Sequence, residues 1–114
     1  MTEHLIQQAI RLLSRGPVRL WRNNTGAIRD ARGQLVRCGL CVGSSDLIGF
    51  RSIVITPAMV GRRIAQFVAL EVKAPNGRTT PEQEAFIQTV QDAGGIAAVV
   101  RSPEQAQSIL ESKL

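Results

Sequence analysis

An almost unbroken apolar run over residues 64–73 predicts the central strand of the fold. Alternate positions on both of its faces are apolar, with Gln66 the one exception, which is typical of a strand buried on both sides in an α/β sheet. The run ends in charge, because Glu71 and Lys73 lie two residues apart and project from the same face. Burying opposite charges at the end of a core strand costs free energy, so we expect this pair to serve a function.

Three elements are predicted before this strand. Apolar residues at helical spacing predict a helix over residues 3–14, and residues 18–24 predict a strand that runs into a polar turn. A short apolar strand follows over residues 47–50, which we expect residues 53–55 to continue or to extend into a small hairpin. Asp46 stands at the mouth of that strand, where it is either a turn former or a metal ligand.

Two helices and one strand are predicted after the central strand. Thr80 is expected to cap a helix that has Pro81 at its first position, and residues 96–101 predict a continuous apolar strand. Ser102 is expected to start a last helix. Strand, helix and strand with short connections form a βαβ unit, so residues 64–73 and 96–101 should be parallel.

Gln83 has two interpretations. It lies on the inward face of the helix predicted after Thr80, yet residues 80–83 have a near copy in residues 102–105. Both segments fit the capping box, in which the side chain of the fourth residue reaches back to the backbone of the cap. Taken by itself, Gln83 therefore indicates helix initiation rather than catalysis.

Length and composition indicate one globular domain with a basic surface. The 114 residues, 44% of them hydrophobic, suffice for a core without disulfides or metal, and we expect a single domain over residues 1–114. Lys and Arg number 14 against 9 Asp and Glu, which gives a net charge of +5, and twelve of the 14 are Arg. Because Arg binds phosphate through two hydrogen bonds, this balance favours nucleic acid as the partner.

Neither a signal peptide nor a membrane span is predicted. Polar and charged residues interrupt the first apolar run, and no apolar stretch approaches the length of a bilayer core. Cys38 and Cys41 form a lone C-x-x-C motif with His4 as the one histidine, so a zinc site lacks ligands. Two buried or partly buried thiols in a reducing cytoplasm are expected instead.

A basic segment and an acidic residue remain open to two interpretations each. Arg29, Arg32 and Arg37 surround a turn at Gly33, which predicts a basic hairpin or arm. This segment either contacts phosphates or is a solvated loop. Glu3 either complements the dipole of the first helix or reaches inward as an outer carboxylate of an active site.

Asp46, Glu71 and Lys73 together can form a site for phosphodiester hydrolysis. Two carboxylates on neighbouring strands can bracket a hard cation such as Mg²⁺ or Mn²⁺, which prefers oxygen ligands. A nearby Lys can orient a water or stabilise the charge that builds up on a phosphate in the transition state. The alternative is a structural ion pair beside a turn residue, since E-x-K by itself occurs by chance in many chains.

Four motifs resemble the VRR-NUC branch of the PD-(D/E)XK nuclease superfamily, the virus-type replication and repair nucleases. They are Trp21–Gly26, Gly43–Gly49, Leu70–Lys73 with Gly77–Thr79, and Gln83 followed by Phe86 and Ile87. The similarity extends over residues 3 to 110, and Ser45 occupies the variable place of the signature's Pro. It implies a restriction-endonuclease-like α/β core, a central mixed β-sheet flanked by helices in the order αβββαβ, with a C-terminal helix.

The resemblance also implies roles by position in the E-x-K motif. Asp46 and Glu71 match metal ligands for Mg²⁺ or Mn²⁺, and the backbone carbonyl of Val72 completes the set. Lys73 matches the residue that positions the attacking water or stabilises the transition state.

Two further residues gain a catalytic role from the resemblance. Glu3 matches an outer acidic residue on the first helix, which implies a further metal ligand acting through a water. Gln83 matches the Gln on the helix that follows the E-x-K strand. The resemblance therefore favours site roles for Glu3 and Gln83 over the helix-terminus roles that the two residues suggest by themselves.

Stand-alone members of this branch, phage forms among them, resemble structure-selective nucleases that act as homodimers on four-way (Holliday) junctions. The implied function is metal-dependent hydrolysis of branched DNA in the interior of a phage-infected or bacterial cell. The alternatives are a nickase or flap nuclease, a catalytically silent nucleic-acid-binding module, and a protein-interaction domain with a structural ion pair. The residues expected to contact DNA are Asn23, Asn24, Arg29, Arg32, Arg37 and Arg78, with Arg62 and Arg63 as weaker candidates.

Overall fold

The computed structural model describes residues 2–112, which form an α/β fold with small sheets and three helices. The helices are α1 (Glu3–Arg11), α2 (Pro81–Asp92) and α3 (Pro103–Leu110). The strands are β1 (Val18–Arg22), β2 (Gly26–Arg29), β3 (Leu35–Cys38), β4 (Leu47–Arg51), β5 (Val68–Val72) and β6 (Ile96–Val100). The α/β class predicted from the sequence is confirmed.

Strand pairing organises residues 2–112 into three two-stranded sheets. The pairs β1–β4 and β2–β3 are antiparallel, whereas β5–β6 is parallel, so both orientations of the expected mixed sheet occur, in separate sheets. Residue contacts divide the chain into two compact units, with the boundary between Arg51 and Ser52. The first unit holds α1 and β1 to β4, and the second holds β5, α2, β6 and α3. A single domain over residues 1–114 stays a prediction.

In the first unit, β1 and β4 form the sheet that leads into the polar turn after β1. Their register places Arg22 opposite Leu47 at that end of the ladder. The rings of Trp21 and Phe50 meet edge to face with their centroids 5.7 Å apart, a geometry that the aromatic quadrupole favours. The strands approach so closely that a β-carbon at Gly49 would collide with the β1 backbone.

The strands β2 and β3 form the predicted basic hairpin. Oδ1 of Asp30 accepts the backbone N–H groups of Arg32 and Gln34, each at 2.9 Å, which closes the turn. Gly33 has φ of 77°, a left-handed conformation that favours glycine. Every residue of both strands is exposed.

In the second unit, β5, α2 and β6 form the predicted parallel unit. The register places Val72 opposite Val100. The helix α2 contacts both strands, and the buried apolar residues of the described chain lie on α2 and β6: Val90, Ala97 and Val100. The parallel pairing predicted from the strand, helix and strand pattern is confirmed.

The central strand is shorter and more exposed than predicted. The expectation of a strand over residues 64–73 is wrong in its length, because β5 begins at Val68. Val68 and Val72 are 43% and 74% exposed, so β5 is not buried on both faces. Within residues 2–112 the strand β5 has one hydrogen-bonded neighbour, β6. A strand with a single neighbour is an edge strand, and its side chains are less buried than those of a strand at the centre of a sheet.

The first helix and residues 53–55 also differ from the prediction. The helix α1 ends at Arg11 rather than at residue 14, and its apolar residues Leu5 and Ile6 are 51% and 42% exposed. Residues 53–55 form no strand, and Val54 is 86% exposed. Periodicity identifies the apolar face of an element but does not specify what covers that face or which strand pairs with it.

Both cysteines are exposed free thiols. The prediction of buried or partly buried thiols is therefore wrong. Cys38 ends β3, and Cys41 lies in the loop that precedes β4. Cys38 is exposed because β2 and β3 pair only with one another within residues 2–112, so solvent reaches the hairpin along its length.

The helices of residues 2–112 are all too short or too polar to cross a bilayer. The longest, α2, has 12 residues. A membrane span needs about 20 predominantly apolar residues.

Candidate active site

Glu71 in β5 and Lys73 directly after it form an ion pair. Nζ of Lys73 lies 3.2 Å from Oε1 of Glu71, and the side chains of Lys73 and Glu71 are 18% and 32% exposed, respectively. Residues two apart on an extended chain leave from the same face, so the predicted placement on one face is confirmed. The pair is partly covered by protein and still open to solvent.

Gln83 joins this pair from the first turn of α2. Its Nε2 donates to Oε1 of Glu71 at 2.9 Å. Its Oε1 accepts the N–H of Thr80 at 2.9 Å, while its own N–H donates to Oγ1 of Thr80 at 3.1 Å, which completes a capping box. The two interpretations of Gln83 from the sequence are therefore compatible, because opposite ends of one amide cap the helix and hold the carboxylate.

The near copy in α3 differs at the corresponding amide. The N–H of Gln105 donates to Oγ of Ser102 at 3.1 Å, as in a cap, but Oε1 of Gln105 accepts from the N–H of Arg101 at 2.7 Å. The second capping box predicted from the sequence is therefore wrong, because the side chain bonds one residue before the cap. Only the first copy lies beside an acidic residue of the candidate site.

The backbone carbonyl of Val72 points away from β6. The N–H of Lys73 donates to the carbonyl of Val100 at 3.0 Å, and the carbonyl of Phe67 accepts from Ile96 at 2.8 Å. In a parallel ladder the N–H and C=O groups of every second residue point to the same neighbouring strand. The backbone groups of the odd-numbered residues of β5 therefore face β6. The carbonyl of Val72 therefore lies outside the β5–β6 ladder, and its role as a metal ligand stays a prediction.

Arg101, which follows β6, holds the loop that follows Lys73. Its Nη1 lies 2.6, 3.2 and 2.8 Å from the carbonyl oxygens of Ala74, Pro75 and Gly77, to which it donates. These charge-assisted hydrogen bonds tie the loop to the end of β6. Sequence interpretation missed Arg101, although the parallel pairing it predicted brings the ends of β5 and β6 side by side.

Asp46 lies in the first unit, immediately before β4, and is exposed. Its backbone carbonyl accepts the N–H of Asn23 at 2.8 Å. This bond continues the β1–β4 ladder one residue beyond Arg22 and Leu47. The predicted position of Asp46 at the mouth of a strand is confirmed, whereas its role as a metal ligand stays a prediction.

The side-chain amide of Asn23 is engaged with the loop before Asp46. Its Nδ2 donates to Oγ of Ser44 at 2.7 Å and to the carbonyl of Ser45 at 2.9 Å. Its Oδ1 accepts the N–H of Leu40 at 2.9 Å. The expected contact of Asn23 with DNA stays a prediction, and this hydrogen bonding shows a second use for the same side chain.

The other candidate residues lie on exposed parts of the chain. Glu3 is in the first turn of α1, a position where an acid complements the helix dipole, and its role as an outer carboxylate stays a prediction. Arg29 donates from Nη1 to the carbonyl of Gly33 at 2.8 Å and so lies along the hairpin turn. The exposed candidates for DNA contact are Asn24, Arg29, Arg32, Arg37 and Arg78.

The oxygen donors present suit Mg²⁺ or Mn²⁺. Within residues 2–112, no three His, Cys, Asp or Glu side chains gather into a group that could hold an ion. Mg²⁺ does not require such a group, since it is bound through one or two carboxylates and keeps several waters and substrate phosphates as ligands. The structure brings Glu71, Lys73 and Gln83 together, whereas Glu3 and Asp46 belong to the first unit.

The fold is of the α/β class, and a carboxylate–lysine pair lies at the end of β5. The family model of the VRR-NUC domain matches residues 2–104 of the chain. The chain therefore belongs to the VRR-NUC domain family, and its function is that of a nuclease, a hydrolase that binds and cuts DNA. No curated protein and no solved structure is significantly similar to it.

Proposed function

We propose that the protein is a metal-dependent endonuclease that resolves four-way DNA junctions as a homodimer, in the interior of a phage-infected or bacterial cell. Membership of the VRR-NUC family supports the nuclease class. The observation that carries the proposal is the arrangement at Glu71, whose Oε1 accepts from both Gln83 and Lys73. A two-fold dimer presents two equivalent sites, which suits a substrate that needs two symmetric cuts.

Asp46, Glu71 and the carbonyl of Val72 are the proposed ligands of Mg²⁺ or Mn²⁺, and Glu3 is a proposed ligand through a water. When bound, the ion would polarise the scissile phosphate and stabilise its developing charge. The contacts of Glu71 with Gln83 and Lys73 both fall on Oε1. Glu71 is the carboxylate of the second unit that we assign to the ion.

Gln83 has a positioning role towards Glu71. Its oxygen is held by the N–H of Thr80, so its NH₂ group is oriented towards the carboxylate. A hydrogen bond from a side chain that is itself fixed by a helix cap restricts the carboxylate to one orientation. The ligand oxygen is thereby set before the substrate binds.

Lys73 is the residue we assign to the attacking water. An ammonium group has three donors, and the contact with Glu71 occupies one of them. The other two can hold a water and a phosphate oxygen at the same time. Lys73 can therefore orient the nucleophile and stabilise charge on the phosphate in the transition state.

The hairpin of β2 and β3 is the proposed DNA-binding element. Its three arginines are exposed, and hydrogen bonds to Asp30 close its turn. The hairpin backbone therefore holds the three positive charges in an ordered conformation. Phosphate contacts of this kind position the protein on DNA without reading sequence. Asn24, in the same unit, and Arg78, in the second unit, are further proposed DNA contacts.

Cleavage of a labelled four-way junction beside linear duplex, single strand and 5′-flap tests the proposal. The reactions contain Mg²⁺, Mn²⁺ or chelator, with Glu71→Ala as the inactive variant. We expect paired symmetric cuts in the junction that disappear with chelator or with the variant. Sedimentation of the protein with and without the junction tests the dimer independently.

Other outcomes select the alternatives. Metal-dependent cutting mainly of flaps or single strands would keep the catalytic residues and replace junction resolution by repair processing. Binding of DNA with no cutting of any substrate would overturn the enzymatic assignment in favour of a silent binding module.

A further inference from the structure

We infer that Asn23 is a positioning residue for Asp46, one that holds the metal-ligand loop in place rather than contacting DNA. The inference rests on the proposed function, because it assigns Asp46 to the metal ion. Its basis is the set of hydrogen bonds between Asn23 and the loop of residues 40–46.

The loop needs such support because it lies outside the strands. Residues 39–46 separate β3 from β4 and contribute no backbone ladder of their own, apart from the carbonyl of Asp46 that accepts from the N–H of Asn23. Asn23 contacts the loop at four points spread along its length, at Leu40, Ser44, Ser45 and Asp46. One residue directly after β1 therefore bonds along the whole segment that leads to Asp46.

The donors and acceptors of this network are mutually consistent. Oγ of Ser44 donates to the carbonyl of Cys41 at 2.7 Å and accepts from Nδ2 of Asn23, which closes the turn of residues 41–44. The second N–H of Nδ2 goes to the carbonyl of Ser45, and Oδ1 takes the N–H of Leu40. Each polar atom of the amide is matched, so Asp at this position would lose both donors and place a charge against a carbonyl.

The close packing of the loop against the residues that follow β1 also supports a positioning role for Asn23. Gly39 has φ of 88°, and a β-carbon there would lie 2.8 to 2.9 Å from atoms of Asn24 and Thr25. The loop therefore lies directly against the backbone that carries Asn23. An amide whose polar atoms are all used in this contact would have to break it in order to bind a phosphate.

Direct metal binding separates this inference from the DNA-contact role. The test measures Mn²⁺ binding to the full chain without DNA, from the loss of the free-ion EPR signal, for wild type, Asn23→Ala, Asn23→Asp and Asn24→Ala. Removing a residue that orients a metal ligand typically weakens metal binding about 10- to 100-fold. We expect Asn23→Ala and Asn23→Asp to raise the Mn²⁺ dissociation constant by about 10-fold or more, and Asn24→Ala to leave it unchanged.

Junction binding in chelator provides the second readout. We expect Asn23→Ala to bind the junction as wild type does, and its cleavage to recover in part at high Mn²⁺. Weaker junction binding by Asn23→Ala together with an unchanged Mn²⁺ constant would overturn the inference and establish a DNA contact instead. Circular dichroism confirms folding. Ser44→Ala removes the bond from Asn23 and the turn bond to Cys41 but keeps the bonds of Asn23 to Leu40 and Ser45, so it should shift the Mn²⁺ constant in the same direction by less.

The outcomes for wild type keep the two proposals distinguishable. Suppose that wild type binds Mn²⁺ and cuts DNA, and that Asn23→Ala has the same Mn²⁺ dissociation constant. This result would overturn the positioning role of Asn23 and leave the proposed function standing. A wild-type chain that binds no Mn²⁺ and cuts nothing would overturn the proposed function, and the positioning role with it.

Discussion

Nε2 of Gln83 donates to Oε1 of Glu71 over 2.9 Å, across a separation of twelve residues in the chain. The same side chain closes the capping box of α2 through its oxygen. The start of a helix is thereby coupled to the orientation of a carboxylate in the neighbouring strand. This coupling gives the first prediction a matched control within the same chain.

Gln83→Ala and Gln105→Ala should differ modestly in stability and strongly in cleavage. Each variant removes one hydrogen bond to a backbone N–H at a helix start, worth about 0.5–1.5 kcal/mol of unfolding free energy, and Gln83→Ala also loses the bond to Glu71. Only Gln83 also holds Glu71, so its variant should cut about 10-fold more slowly than wild type. Urea denaturation and single-turnover cleavage measure the two quantities, and equal rates for both variants would contradict the positioning role.

Glu71→Ala should remain folded and lose cleavage. Its ion pair is partly exposed, so the pair contributes about 0–1 kcal/mol, and the hydrogen bond from Gln83 about as much again. We expect cleavage to fall on the order of 10³-fold, because the variant removes a ligand of the ion. Glu82→Ala, an exposed acid in the first turn of α2, is the control and should cut as wild type. An unfolded Glu71→Ala would support the protein-interaction alternative.

Arg101→Met should loosen the loop that follows Lys73. The variant keeps an unbranched aliphatic stem but removes the donor to three carbonyls, so we expect a decrease of about 1–3 kcal/mol in unfolding free energy. Hydrogen exchange of the 74–77 segment should become faster. Arg78→Met, a substitution next to the same loop, should change stability by less than about 0.5 kcal/mol. Equal stabilities for the two variants would show that the guanidinium bonds are not needed.

Replacing Arg29, Arg32 and Arg37 together by Gln should weaken DNA binding and reduce its salt dependence. For every phosphate contact that the substitutions remove, the slope of log K against log salt should become shallower by about 1. Arg11→Gln, in the last turn of α1, removes charge away from the hairpin and should change the slope less. Binding isotherms between low and moderate salt provide the measurement. If the slope of the triple variant stayed as steep as that of wild type, these three arginines would not contact phosphates and DNA would bind to another surface.

The sequence by itself determined the features that depend on a few neighbouring residues. Thr80 and Pro81 start α2 as expected, since a cap involves residues only three apart. The basic hairpin, the parallel pairing of β5 with β6 and the common face of Glu71 and Lys73 also follow from local periodicity. The resemblance of its motifs to the VRR-NUC family was visible at the same level and is confirmed.

Only the tertiary structure decided which distant groups meet. It assigned the amide of Gln83 to Glu71, the guanidinium of Arg101 to the loop after Lys73, and the amide of Asn23 to the loop before Asp46. It also showed that β5 is short and that the two cysteines are exposed. Periodicity states which face of an element is apolar, but the partner that covers a face or accepts a hydrogen bond is set by packing between segments far apart in the chain.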